Sequence, residues 1–192
     1  MGFTREFMEV QAHGNTKLHV IHTNDLHKAD TTIEQYQRHL EFECHKIIGV
    51  DVEYTNDIGK DQKPVLVKLS VGKDHPVLLF QLSAADKNCT RFDNFLADRR
   101  YTFPGFSIDS DIEMLGRVGL EIAHFKKLTN AEHQRWARML LSMRHIEYAA
   151  KDAYAAYEIW SRLTTIQEGL RRAKLEKEQS RKRARSWGDY DY

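Results

Sequence analysis

The sequence lacks the features that mark membrane and secreted proteins. No apolar run approaches the ~20 residues that a membrane-spanning helix requires, although 41% of the 192 residues are hydrophobic. The N-terminal stretch MGFTREFMEVQAHG has no basic segment followed by an apolar block, which argues against a secretory signal. We therefore expect an intracellular protein of the nucleus or the cytoplasm, without a membrane partner.

Cysteine is also scarce. Cys44 and Cys89 are the two cysteines of the chain, and they lie far apart without the spacing of a zinc motif. Reduced thiols are expected of an intracellular protein. Neither cysteine lies in a nucleophile motif beside a base, so thiol catalysis is not expected.

The net charge of +1 hides an uneven distribution. From Arg171 to Tyr192 there are eight Lys or Arg against four Asp or Glu, a net of +4, which leaves −3 for the preceding residues. A mildly acidic body with a basic tail is unlike a uniformly basic nucleic-acid binder. If the body handles a polyanion, divalent metal ions are the expected means of neutralising its own acids.

Hydrophobic patterns predict an α/β protein. Alternation predicts a strand in KLHVIHT, and three further strands in KIIGVDVEY, PVLVKLSVG and PVLLFQL form an expected meander of neighbours. A capping box of Thr31 and Glu34 predicts the start of a first helix. Residues 1–16 show no clear periodicity and are expected to be loosely ordered.

The second half is expected to be mainly helical. Helices are predicted in TRFDNFLADR, DSDIEMLGRVG and LTNAEHQRWARMLL, with a short strand in YTFPGFSI. A long helix covers MRHIEYAAKDAYAAYEIWSRLTTIQEGL, and its basic continuation is expected to be a frayed helix or disordered tail. These patterns divide the chain into residues 1–16, a domain of residues 17–165, and a tail of residues 166–192.

Two acids end the apolar run IIGVDVEYT. Asp51 and Glu53 are two apart, so on a strand their carboxylates share one face. Buried like charges raise each other's pKa, and a divalent cation between them removes that cost. Taken alone, the pair is explained more simply as two surface acids at a strand end.

Two later motifs carry further acids. Tyr148 and Asp152 are four apart on the alanine-rich helix and therefore share a face. In FSIDSDIEML, Asp109 and Asp111 lie at a helix start, where the helix dipole favours negative charge. Each motif alone has an ordinary structural explanation.

Together the three motifs resemble those of the DEDDy 3′–5′ exonucleases of the ribonuclease-H-like superfamily, most closely the branch of the Werner-syndrome-type exonuclease domains and their plant relatives. IIGVDVEYT resembles the first exonuclease motif, FPGFSIDSDIEML the second, and IEYAAKDAYAAYEIWSRL the third. The resemblance extends from about Lys17 to Leu163. It implies a mixed five-stranded sheet flanked by helices, with Asp51 and Glu53 on the central strand. It also implies metal-dependent 3′–5′ exonuclease activity on the 3′ ends of DNA or RNA.

The resemblance also implies site residues. Two Mg²⁺ or Mn²⁺ ions are expected, with Asp51 bridging them, Glu53 and Asp152 at the ion beside the attacking water, and Asp111, rather than Asp109, serving the second ion. Tyr148 is expected to orient the water, because a tyrosine of ordinary pKa, about 10, is neutral and does not abstract its proton. Two such ions activate the water and stabilise the leaving oxygen.

The chain is short between the second and third motifs. Asp152 follows Asp111 by only 41 positions, where relatives carry additional helices that wall the substrate groove. The lead-in to the last helix, with Trp136 and Leu141, is retained. The alternative is therefore a catalytically weak or inactive nucleic-acid-binding or protein-interaction module on an exonuclease scaffold. A homo-oligomer, a protein partner, and the choice between DNA and RNA stay open.

Overall fold

The structure is a computed structural model that describes residues 2–12, 15–55, 63–85, 90–106, 125–128, 136 and 140–188. Within these residues, seven strands have the following bounds: β1 Thr4–Gln11, β2 Lys17–Thr23, β3 Gly49–Tyr54, β4 Pro64–Ser70, β5 Val77–Phe80, β6 Phe103–Phe106 and β7 Phe125–Leu128. The α-helices are α1 Leu26–Glu41, α2 Thr90–Leu96 and α3 Met143–Gly188. A 3₁₀ turn, Leu82–Ala84, follows β5.

A mixed five-stranded sheet has the order β1-β2-β5-β4-β3. The three strands β3, β4 and β5 pair antiparallel in succession, whereas β2 pairs parallel to β5. A parallel partner needs a crossover, and α1 begins the long connection that leads from β2 towards it. The predicted α/β fold class and the meander are confirmed.

Strand β3 is the last strand of this sheet rather than its centre, which corrects the expected position of Asp51 and Glu53. A parallel bridge between Ile47 and Thr102 nevertheless joins the start of β3 to the chain entering β6, which pairs with β7. Every residue of β3 is buried. The strand is therefore covered on both faces and along its outer edge.

Two predictions about the first 41 residues are wrong. Residues 4–11 form β1, which pairs antiparallel with β2, so this part of the expected loosely ordered N-terminus belongs to the sheet. Helix α1 begins at Leu26 rather than near Thr31, because the Asp25 side chain caps it by accepting a hydrogen bond of 2.9 Å from the His27 amide. The Thr31 hydroxyl instead donates to the His27 carbonyl within the helix.

Side chains from the two faces of the sheet enter two hydrophobic clusters. The cluster on the side of α1 and α2 includes Ile33, Tyr36, Val50, Phe92 and Phe95, all buried. The opposite cluster lies under α3, which contributes Ile146 and a row of buried alanines. Asp51, Glu53 and the facing part of α3 lie on this second side.

Small residues allow α3 to lie very close to β3. A Cβ atom on Gly49 would lie 2.6 Å from the Tyr157 backbone nitrogen and would also contact the Ala153 carbonyl oxygen. Neither backbone atom can rotate away, so only glycine fits at this position. The close approach brings the third predicted motif to the first.

Helix α3 continues as far as Gly188, well beyond the body of the protein, which makes residues 166–188 helical rather than disordered. The helices expected around 109–119 and 128–141 lie almost entirely outside the described residues. Among the helices that the structure describes, none combines the length and the apolar character needed to cross a membrane.

Candidate metal centre

The first two acids of the site come from β3. Asp51 is 7% exposed and Glu53 is 5% exposed, so neither is a surface acid at a strand end. Residues two apart on a strand share a face, and here that face is covered by α3. The simpler explanation of the pair is therefore excluded by burial.

Helix α3 adds the third acid. Asp152 offers a carboxylate oxygen that lies, with one each from Asp51 and Glu53, in a group whose atoms are all within 4.8 Å of one another. Tyr148 precedes Asp152 by one turn of the helix, and its nearby hydroxyl acts to lower the pKa of the Asp152 carboxyl, against the larger effect of burial. Asp111, the remaining predicted ligand, lies outside the described residues.

A lysine that sequence reasoning missed lies at the centre of these acids. Lys68 is fully buried in the middle of β4, directly opposite Asp51 in the β3–β4 pair. Its Nζ donates to the Asp51 carboxylate, to Glu53 Oε1 at 2.5 Å and to Asp152 Oδ2 at 3.2 Å. A lysine within the apolar run PVLVKLS was the available signal, because lysine is almost never buried without a partner.

Two aromatic rings complete the surroundings of this ammonium group. Lys68 Nζ lies 5.2 Å from the ring centroid of Trp136 and 5.5 Å from that of Tyr148. The rings are 5.8 Å apart and inclined by 36°. At these distances the ring faces attract a cation. The predicted motif residue Trp136 therefore belongs to the site.

A hydrogen bond from Gln81, the residue after β5, connects Trp136 to the sheet. The Gln81 amide nitrogen donates to the Trp136 carbonyl at 3.3 Å, and its oxygen lies 3.1 Å from His22 Nε2. Burial lowers the pKa of His22 to about 4, so this imidazole is neutral at neutral pH and donates through Nε2. The buried polar chain fixes Trp136 against the lysine.

Burial dominates the protonation of the acids. It raises the pKa of Glu53 to about 7, since Lys68 offsets only part of the cost and Asp51 adds to it. Burial also raises the pKa of Asp152, against the effect of Lys68. For Lys68, burial acts to lower the pKa, but the three carboxylates outweigh it and raise the pKa, which keeps the ammonium charged.

Tyr148 is a neutral hydroxyl at neutral pH. Burial, and after it the Asp152 carboxylate, raises its pKa above the usual value. A neutral phenol next to a carboxylate donates its hydrogen bond to that carboxylate and retains lone pairs for a water molecule.

The donor set fits a divalent cation. Carboxylate oxygens are the ligands that Mg²⁺ and Mn²⁺ prefer, and three of them converge here from two elements. The same three acids also satisfy one ammonium, whose single charge does not balance them. The geometry is thus suited to a cation, and Lys68 supplies one from within the chain.

Similarity to known proteins is found in structure and not in sequence. No family model matches the chain, and no curated protein matches it in sequence. Solved structures do match. Brucella melitensis NrnC, in structures with pGG and with Mg²⁺, has a TM-score of 0.54 at 18% identity, covering 71% of this chain and 80% of NrnC.

Two further structures extend the comparison. Escherichia coli RNase D, an exoribonuclease involved in structured RNA processing, has a TM-score of 0.58 at 15% identity, over 73% of this chain and 44% of RNase D. The catalytic core of RRP6 from Trypanosoma brucei has a TM-score of 0.61 at 10% identity, over 85% of this chain and 51% of that core. These neighbours are DEDD-type 3′–5′ exonucleases. The chain therefore shares the fold of these neighbours, a mixed five-stranded sheet flanked by helices.

Proposed function

We propose that the protein is a metal-dependent 3′–5′ exonuclease that hydrolyses terminal phosphodiester bonds of DNA or RNA. One observation carries the proposal: three carboxylates, two of them buried, converge from β3 and α3 on a fold shared with 3′–5′ exonucleases. Structural proteins rarely bury such a cluster, because charge repulsion and desolvation both oppose folding. Selection for chemistry explains why the cost is tolerated.

The proximity of three acids supports their proposed roles, whereas the role of Asp111 rests on its motif alone. Asp51, Glu53 and Asp152 would hold Mg²⁺ or Mn²⁺, with Asp111 as a further ligand for a second ion. When bound, such ions supply an activated water and stabilise the leaving oxygen. Tyr148 orients the water through its neutral hydroxyl, since it lies one turn from Asp152 and faces the same acids.

An oligonucleotide assay tests the proposal. Purified protein is incubated with Mg²⁺ or Mn²⁺ and with 5′-labelled single- and double-stranded DNA and RNA. We expect a ladder of products that shorten stepwise from the 3′ end. In Asp51→Asn the rate should fall by roughly a hundredfold or more, because a central metal ligand is weakened.

A matched variant controls for nonspecific effects. Asp74 lies exposed in the turn between β4 and β5, so Asp74→Asn makes the same chemical change away from the acids. It should retain wild-type rates. Equal rates for both variants, or no degradation of any substrate by wild type with either metal, would contradict the proposed function.

The second candidate is a nucleic-acid-binding module without catalysis. Lys68 favours it, since the ammonium already contacts all three acids. Electrophoretic mobility shifts with the same oligonucleotides distinguish the two candidates. Binding without metal-dependent shortening identifies the module, whereas binding followed by shortening identifies the enzyme.

A further inference from the structure

We propose that Lys68 is a built-in competitor of the divalent cation: its ammonium group takes the position between Asp51, Glu53 and Asp152 and holds the centre together when metal is absent. The inference rests on the metal centre of the proposed function and adds its regulation. It implies a resting state without metal and an active state reached only when metal displaces the ammonium.

The sheet register places Lys68 there. Lys68 and Asp51 are directly opposite in the antiparallel β3–β4 pair, and opposite residues on one face have Cβ atoms only about 5 Å apart. The side chain extends along this face towards Glu53 and Asp152. The contact is therefore set by the backbone pairing of two buried strands rather than by a mobile surface chain.

The ammonium uses the same oxygens that a metal would need. The Lys68 ammonium group, which has no acceptor, donates to Asp51 Oδ2, Glu53 Oε1 and Asp152 Oδ2. Mg²⁺ binds carboxylate oxygens at about 2.0–2.1 Å. An ion bound by these three oxygens would lie almost on top of the nitrogen, so that one cation excludes the other.

Among the described residues, the Lys68 side chain is enclosed and does not reach solvent. It is 0% exposed, and its ammonium nitrogen lies 5.2 Å and 5.5 Å from the ring centroids of Trp136 and Tyr148. Gln81 holds Trp136 in place through its backbone carbonyl. A metal ion must therefore displace the ammonium against these rings, whose faces provide its alternative cation-binding position.

Metal binding by Lys68→Met tests the proposal directly. Binding is measured by titrating free Mn²⁺ with electron paramagnetic resonance, in parallel with the shift of the melting temperature caused by Mn²⁺. The variant should bind Mn²⁺ at least about tenfold more tightly than wild type, since removal of a like charge favours the incoming cation. Its melting temperature should also rise more with Mn²⁺.

Lys73→Met is the matched control. Lys73 is exposed in the turn after β4, so the substitution removes the same charge without touching the acids. Its Mn²⁺ affinity should equal that of wild type. Equal affinities for wild type and a folded Lys68→Met variant would overturn the proposal.

The test remains decisive if Lys68→Met does not fold in EDTA. Recovery of the native circular dichroism spectrum on adding Mn²⁺ supports the proposal, because the metal then replaces the missing charge. The double variant Lys68→Met/Glu53→Gln has one carboxylate fewer than Lys68→Met and therefore a smaller excess of buried negative charge. If it folds in EDTA while Mn²⁺ fails to restore Lys68→Met, the metal cannot take the place of the ammonium, and the proposal is wrong.

The outcome is separable from that of the proposed function. A Lys68→Met variant that binds Mn²⁺ tightly but degrades no oligonucleotide supports the competition and contradicts the exonuclease. A wild-type protein that degrades oligonucleotides, with a Mn²⁺ affinity that Lys68→Met leaves unchanged, supports the exonuclease and contradicts the competition.

Discussion

Lys68 lies directly opposite Asp51 across the β3–β4 pair and donates from its buried ammonium to the Asp51 carboxylate. The same nitrogen contacts Glu53 and Asp152. A cluster with the composition of a nuclease metal centre therefore carries its own cation. The fold explains where the acids lie, and the register of two neighbouring strands explains why a lysine lies among them.

Loss of the lysine should destabilise the metal-free protein. Removing one partner from a buried ionic cluster leaves uncompensated charge, which costs about 3–5 kcal/mol. We expect the free energy of unfolding of Lys68→Met, from urea denaturation in EDTA at neutral pH, to fall by that amount. The exposed Lys73→Met control should change it by less than about 0.5 kcal/mol. Equal stabilities of the two variants would show that the cluster does not need Lys68.

Glu53 should make the stability of the metal-free protein depend on pH. Its pKa rises from a reference of 4.5 to about 7 on folding, so between these values the folded state binds more protons than the unfolded state. The protonated Glu53 carboxyl therefore contributes to the free energy of unfolding. This contribution is fully present below pH 4.5 and is lost as the pH rises through about 7.

The variant Glu53→Gln isolates this contribution. The free energy of unfolding of Glu53→Gln in EDTA, minus that of wild type, should increase as the pH rises from 4.5 to about 7. The increase should reach up to roughly 3 kcal/mol. Denaturant titrations at several pH values measure the difference. Parallel stability curves for the two proteins would contradict the raised pKa.

The contact between Gly49 and α3 should be essential to both stability and the site. A Cβ atom at Gly49 meets backbone atoms of Ala153 and Tyr157, so Gly49→Ala forces α3 away from β3 and Asp152 away from Asp51. We expect a loss of about 1–3 kcal/mol in unfolding free energy and weaker Mn²⁺ binding. Both are measured on the purified variant.

The matched control is on the same helix. A Cβ atom added at Gly169 would meet no other atom within 4 Å, and glycine within a helix is less stable than alanine by about 0.5–1 kcal/mol. Gly169→Ala should therefore raise the stability and leave Mn²⁺ affinity unchanged. Similar effects of the two substitutions would contradict the close packing of β3 against α3.

Tyr148→Phe should separate catalysis from binding. The ring that faces Trp136 and Lys68 is retained, while the hydroxyl that would orient the water is lost. We expect kcat to fall by about ten- to a hundredfold, with KM and Mn²⁺ affinity nearly unchanged. Steady-state kinetics on a single-stranded oligonucleotide, with Mn²⁺ titrations, measure these quantities. An unchanged kcat would exclude Tyr148 from the reaction.

The basic end of α3 should contribute phosphate contacts. Arg181, Lys182 and Arg183 are exposed near the end of the helix. Deleting residues 181–192 should weaken nucleic-acid binding and reduce its dependence on salt, since each phosphate contact contributes about 0.9 to the logarithmic slope on duplex DNA. Binding titrations at several salt concentrations measure the slope. An unchanged slope would contradict a contact role for this segment.

Local patterns predicted much of the fold. Alternation in β3, β4 and β5 was strong enough to predict both the strands and their order, and i, i+2 spacing placed Asp51 and Glu53 on one face. Strand β1 escaped prediction because its pattern is broken: the pairing with β2 shifts between Phe7 and Val10, and Glu9 adopts a positive φ of 61°. The start of α1 was missed because the capping box of Thr31 and Glu34 predicted a later start, whereas Asp25 caps the helix in the structure.

Lys68 could not be placed from sequence. Its effect depends on which residue of β3 it faces, and the periodicity of two separate strands does not specify the register between them. The roles of Asp51, Glu53, Tyr148 and Asp152 remain predictions that rest on motif and proximity. The role of Asp111 also remains a prediction, because the residue lies outside the part of the chain that the structure describes.

The most direct measurement is the position of Mn²⁺ in crystals of Lys68→Met, located by anomalous scattering. We expect a manganese peak among the carboxylates of Asp51, Glu53 and Asp152, coordinated by an oxygen from each. A peak elsewhere, with these three carboxylates free of metal after soaking in millimolar Mn²⁺, would contradict the claim that they form the metal centre of a nuclease.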